Sequence, residues 1–264
     1  MEILLDEIIP KSLFKYRDYQ SEEHRRIITH QEIYFAKPSE FLASYDCVYQ
    51  IDRDFIMNEN NRREYYSKTY NIENLNHPII NNLIANNPIT DDLIDQIECD
   101  NRKLLDKITG VFSGSLTNRN PHLWKEFGGN NKGFCVELNL LDTFPVDFGS
   151  KGYVEYVREE ELPKSKVLNH DNIPEYSSYV FDLIFKLPLK YSDEREYRIE
   201  KLFFNDSERS MKLKKEQIKS ITLGYKISKT KQVEIIELIK KHLPEVKIKK
   251  LKYSKPHLKE IFLE

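Results

Sequence analysis

Apolar and polar positions along the chain change their spacing several times, and each change marks a predicted element. "SLFKYRDYQ" carries aromatic residues in an extended pattern ending in polar ones, a short strand. Ser21 then predicts a helix cap, with Ile27 and Ile28 on one side of a helix running to about Thr29. "EIYFAKP" predicts a second strand, stopped by Pro38. From Asp52 to about Lys107 the spacing becomes helical and is broken by Pro78 and Pro88, so several short helices are expected there. Strand character returns at Gly110–Ser115 and Gly133–Leu138, with a short helix around His122–Phe127 and a Gly128-Gly129 stop between them. "KGYVEYVRE" alternates as one strand, and "NIPEYSSYVFDLIFKLP" places Tyr176, Val180 and Ile184 at helical spacing. The C-terminal part reads strand, helix capped by Ser228, strand, a unit that lets its two strands lie parallel.

These elements predict an α+β fold in a single domain, 1–264. It would have a mixed β-sheet core, a helical insertion at 52–107 and a C-terminal β-α-β unit at 217–254. Composition narrows the class further. Of 264 residues, 39% are hydrophobic and 32% charged, enough for a core beneath a heavily ionised surface. A net charge of -2 argues against a coat dedicated to nucleic acid. Cys47, Cys99 and Cys135 are too few and too scattered for a disulfide framework or a tetrahedral zinc site. No apolar run approaches the ~18 residues that span a bilayer, and the N-terminal segment lacks the basic region of a signal peptide. A cytoplasmic protein without membrane contact is expected.

The densest charge lies in "KYSDEREYRIEKLFF", Lys190–Phe204. On an extended chain Glu194, Glu196, Arg198 and Glu200 share one face, while Arg195, Tyr197, Ile199 and Lys201 share the other. Taken alone, this is a solvated strand with neighbouring salt bridges; with partners elsewhere, it is a set of carboxylates at a reaction centre. Gly224 before a helix reads as a turn or a phosphate loop. Lysines from Lys247 to Lys259 read as protection of an exposed edge strand or as a contact for nucleic acid or an acidic partner. The seven histidines show no metal-ligand spacing.

Four segments in order carry a family resemblance: "LFKYR" (Leu13–Arg17), "EIYFAKPSEFLASYDC" (Glu32–Cys47), "FSGSLTNRNPHLWKEFGGNNKGFCVEL" (Phe112–Leu138) and "YSDEREYRI" (Tyr191–Ile199). Together they resemble the bacterial domain of unknown function 2971 family. The chain departs from that pattern at Leu42-Ala43-Ser44, where the family has Asn-Asp-Pro, at Tyr191 in place of Trp, and at Phe127 in place of Tyr. An Arg ending the first strand, a Ser on a middle strand and a Glu-x-Glu opening a later strand are also similar in order to the layout of mono-ADP-ribosyltransferases.

That likeness implies an ADP-ribosyltransferase-like core with NAD as co-substrate, and gives each residue a role. Arg17 would hold phosphate or ribose oxygens through its guanidinium fork. Ser113, with Ser115 beside it on the same face, would orient the ribose or the glutamate. Glu196 would stabilise the cationic sugar formed when nicotinamide leaves, and Glu194 would serve the acceptor. Tyr16, Tyr34 or Trp124 would stack on a ring, and Lys132 would meet a phosphate. Each has a plainer role as well: Trp124 as a core anchor, Ser113-Gly114-Ser115 as a tight strand end, Lys132-Gly133 as a turn. The implied activity is transfer of ADP-ribose to a protein or nucleic-acid acceptor, or NAD cleavage, in phage defence or a toxin-like setting. The alternatives are a metal-dependent nuclease using Asp193, Glu194 and Glu196, and a non-catalytic binding module on the same scaffold.

Overall fold

The computed structural model describes residues 9–41, 45–145, 147–166, 173–203, 209–254 and 257–263. The Leu42-Ala43-Ser44 departure and Phe204 lie outside them. The chain begins with β1 (Ser12–Arg17), α1 (Glu22–Thr29) and β2 (Glu32–Tyr34). Ser21 caps α1 by accepting from the His24 amide. Four helices follow: α2 (Arg53–Met57), α3 (Glu59–Tyr70), α4 (Pro78–Asn86) and α5 (Asp91–Ile108). Asn58 caps α3, and Pro78 sits in the first turn of α4, where its missing amide costs nothing. Next come β3 (Thr109–Ser115), α6 (Pro121–Glu126), β4 (Phe134–Asn139), α7 (Leu140–Thr143), β5 (Ser150–Tyr153) and β6 (Glu155–Val157). The last third holds α8 (Ile173–Phe185), β7 (Lys186–Pro188), β8 (Glu196–Leu202), β9 (Ser210–Lys212), β10 (Ile218–Leu223), α9 (Lys229–His242), β11 (Lys247–Ser254) and β12 (His257–Phe262).

Eight strands form one mixed sheet in the order β12-β11-β10-β4-β1-β3-β8-β5, so the molecule is mixed α+β. The β10 and β11 pair is parallel, as the β-α-β reading expects, because α9 carries the crossover between them. One face of the sheet presents Leu13, Phe112, Val136, Leu138, Ile199 and Ile221 to Ile27 and Ile28 of α1 and Ile235 and Ile239 of α9. The opposite face packs Tyr16, Cys135, Leu251 and Leu258 on Leu123 and Trp124 around α6. Ile56, Ile94 and Leu105 of the helical stretch pack with Tyr49 and with Leu183 of α8. Among the described residues no helix is long and apolar enough to cross a membrane.

Local expectations change in four places. "KGYVEYVRE" is two strands, not one: Val154 is buried between β5, which pairs with β8, and β6, which pairs in parallel with β7. "EIYFAKP" pairs with β9 from Glu32 to Tyr34 and then makes a single bridge from Ala36 to Val111 of β3, and Pro38 opens a 3-10 turn. The lysine-rich β11 is an interior strand, because β12 pairs along it from Lys249 to Ser254. Gly224 is a close-approach position: a Cβ there would meet the Asn131 carbonyl oxygen at 2.2 Å, and its amide donates to the Gly133 carbonyl at 2.9 Å.

One irregularity creates the site. β1 pairs with β4 through six residue pairs, Ser12 to Arg17 against Asn139 to Phe134. Its pairing with β3 on the other side is limited to Phe14 opposite Ser115. Towards the Arg17 end of β1 the two strands share no further ladder, and a cleft opens there.

Candidate functional site

The cleft is a cavity of about 630 Å³, a size usual for small-molecule and cofactor sites. From β1 it takes Lys15 and Arg17, from β3 Val111 and Ser113, and from β8 Glu196 with the preceding Glu194. α1 supplies His24, and the rim carries Tyr34 and Phe127, both well exposed. Arg17, Ser113, Glu194, Glu196 and Tyr34, five of the residues singled out in the sequence, therefore line one space.

Glu194 reaches it by an unexpected route. It lies in a 3-10 turn, and Arg195 after it adopts a left-handed backbone with φ 49°, so strand alternation begins only at Glu196. The turn is pinned from two sides. Ser115 Oγ donates to the Glu194 carbonyl at 2.7 Å, and Asn120 Nδ2 donates to the Asp193 carbonyl. Ser115 is thus buried and holds the acidic turn in place, and it does not line the main cavity. Tyr156 Oη accepts from the Glu196 amide at 2.8 Å and fixes the first residue of β8.

The charged face of β8 is buried, so the reading of a solvated strand is overturned. Arg198 has no exposed surface. Its Nη1 and Nη2 donate to both oxygens of Asp46 at 2.7 and 2.9 Å, Nη1 also donates to the Ile184 carbonyl at 2.8 Å, and Nε donates to Glu196 at 2.7 Å. The Phe41 ring stacks against the guanidinium. Five donors in a rigid fork suit Arg198 to hold two carboxylates at once.

Glu194 and Glu196 form a hydrogen-bonded carboxyl pair. Burial, then the neighbouring Glu196 charge, pushes Glu194 up to about 8, so it keeps its proton at neutral pH, while Glu196 pairs with Arg198. His122 Nε2 stands 3.7 Å from Glu194 on the outer side. With Arg198 neutralised by Asp46 and Glu196, two cations remain. Among the described residues the Arg17 guanidinium donates to the Tyr16 carbonyl, at 3.5 Å, and Lys15 Nζ donates to the Ser113 carbonyl. Neither has a carboxylate within ion-pair range among the described residues. Lys15 lies at the cleft floor, enclosed by protein yet open to the cavity, and that burial, with the Arg17 charge, pushes its amine down to about 7. Burial lowers Arg17 to about 10. His24 accepts from the Asp18 amide through Nδ1 at 3.2 Å, and burial with the Arg17 charge lowers its basicity further. The floor therefore sets Lys15 and Arg17, neither ion-paired among the described residues, beside Glu196 and a Glu194 that holds its proton.

Three expected contributors fall elsewhere. Tyr16 packs edge-on against Trp124 with ring centres 5.2 Å apart, and its hydroxyl donates to the Thr117 carbonyl at 2.7 Å, so its ring is not free to stack on a ligand. Trp124 is fully buried and donates Nε1–H to the Asn118 carbonyl at 2.6 Å; it is a core anchor. Lys132 is exposed in a turn closed by Asn131 N to the Trp124 carbonyl and Gly133 N to the Gly128 carbonyl, away from the cleft lining. Asp193 is also exposed and outside the lining, so the Asp193, Glu194 and Glu196 cluster does not assemble in the cleft. Among the described residues no three His, Cys, Asp or Glu side chains group as metal ligands would.

Lys15, Asp46 and Arg198 are the site residues that sequence reasoning missed. Lys15 had a usable signal, since it lies two residues before Arg17 on a strand and must share its face. Asp46 had none, because its partner is 152 positions away. Compared with known proteins, the chain matches no family model, no curated protein and no solved structure.

Proposed function

We propose that this cleft binds NAD and transfers its ADP-ribosyl group, or releases nicotinamide to water, in the manner the Arg–Ser–Glu resemblance implies. The observation that carries the reading is the convergence of Arg17, Ser113 and Glu196, from three strands, on one cavity. Arg17 and Lys15 would hold the diphosphate, Arg17 as a fork and Lys15 as a point charge. Breaking the nicotinamide–ribose bond leaves the electron pair on the departing nitrogen and cationic character on the sugar. Glu196, held in place by Arg198, is the group suited to stabilise that cation. Glu194 stands beside it and would take the acceptor's proton once ionised, which its pKa near 8 makes accessible just above neutrality. Tyr34, at the rim, would flank a ring of the dinucleotide.

The test is incubation of the protein with labelled NAD, in buffer and with cell extract, beside Glu196→Gln. Nicotinamide release or label transfer is expected in the wild type, reduced about 100-fold or more in the variant. Absence of NAD binding at about millimolar concentration would overturn the reading.

A further inference from the structure

A second cavity, of about 760 Å³, lies away from the cleft, between the helical stretch and the segment before α8. Its walls come from α2 and α3, from Pro163 to Lys166, and from Ser178, Tyr179 and Asp182 of α8. None of its lining residues is shared with the cleft.

Arg62 of α3 is the unusual feature. Its Nε and Nη1 are shut off from solvent, yet neither has a hydrogen-bond partner. No carboxylate among the described residues lies within ion-pair range of it. Native proteins leave few buried donors unpaired, and those that remain ask for an explanation such as a ligand or water that completes them. A guanidinium in this state is a cation without its anion, and Arg62 itself lines the cavity.

The surroundings favour the same chemistry. Lys68, Lys164 and Lys166 join Arg62 on the lining, against Glu64 and Asp182, and Asp182 already accepts from Lys186 at 3.1 Å. Lys166 Nζ sits over the Phe55 ring at 5.1 Å, a cation placed at the wall by an aromatic ring instead of a carboxylate. Tyr66 adds a second half-buried ring to the same wall. Phosphate suits an arginine fork with mobile lysines beside it, and flat aromatic walls suit a heterocyclic base.

We propose that this cavity is a nucleotide site, with phosphate groups held by Arg62, Lys164 and Lys166 and the base against Phe55 and Tyr66. One helix lines this cavity and braces the cleft from behind. Tyr179 and Asp182 of α8 line the second, and the Ile184 carbonyl near its end accepts from Arg198 behind the cleft. The site is independent of what the cleft does.

Calorimetric titration of the full chain with ATP, and separately with inorganic tripolyphosphate, tests the assignment. ATP is expected to bind more tightly than tripolyphosphate. Measured in an Arg17→Gln background, which removes the cleft's diphosphate contact, binding should persist, and it should weaken about tenfold or more on adding Arg62→Gln or the exposed pair Lys164→Ala/Lys166→Ala. The lysine pair keeps the test valid if Arg62→Gln folds poorly. Equal affinity for the two probes would overturn the nucleotide assignment. Loss of ATP binding in Arg17→Gln alone, or no binding at about millimolar ATP, would overturn the site itself.

Discussion

Arg198 is the residue on which the cleft chemistry depends, and its partners make it sensitive to change. Removing it strands Asp46 and Glu196 as unpaired buried carboxylates. Arg198→Met is expected to lower unfolding free energy by about 3–5 kcal/mol in urea titrations, and by less in an Asp46→Asn background, where one fewer carboxylate is stranded. Glu194 gives a signed pH dependence. Its folded pKa, near 8, stands above its ordinary 4.5, so the unfolded chain gives up this proton first as pH rises. The contribution is therefore fully present below about 4.5 and declines until about 8. Relative to Glu194→Gln, the wild type should lose stability across that window and level off above it, measured by denaturant midpoints in a pH series. At this scale the sequence was half legible. The resemblance singled out Arg17, Ser113 and Glu196, and strand spacing put Glu196, Arg198 and Glu200 on one face, because period two is a local property. The Asp46 partnership is tertiary and leaves no local trace, and the left-handed Arg195 hides how Glu194 is delivered.

Elements were legible where a cap or a period announced them. Ser21 and Ser228 each accept from an amide three residues on, and both helices begin where those caps predict. Ser228→Ala should cost about 1 kcal/mol, read as a shift in thermal midpoint. Less legible were elements whose limits are set by neighbours: β5 and β6 divide one alternating run because Val154 is drawn inward. Gly133 shows how closely the site's strands are set. A Cβ there would lie 2.1 Å from the Arg17 carbonyl oxygen, and both partners are backbone. Gly133→Ala must push β1 from the turn before β4. Its expected signature is a loss of stability together with weaker anion binding in the cleft, measured by titration with pyrophosphate.

The α+β architecture follows from alternating strand and helix patterns, but neither the strand order nor the split between β1 and β3 does. β12 was also missed, because a closing hairpin is specified by what it covers. Leu258 packs into the Trp124 cluster, and Glu260 accepts from Asn118 while pairing with Lys249. Ending the chain after Ser254 should expose the open edge of β11 and these apolar contacts. Such a chain should aggregate at concentrations where the full protein does not, which light scattering would detect.

The position of β1 also bears on how the protein is made. β1 occupies residues Ser12–Arg17, yet its two sheet neighbours are Thr109–Ser115 and Phe134–Asn139. During synthesis the strand leaves the ribosome about a hundred residues ahead of anything it can pair with, at roughly 5–20 residues per second. For several seconds it is an unpaired strand with Leu13, Phe14 and Tyr16 uncovered, and its final ladder needs long-range closure that proceeds slowly. The strand that ends in Arg17 is thus a natural client for a chaperone, and the cleft takes shape only after β8 has emerged, nearly two hundred residues later.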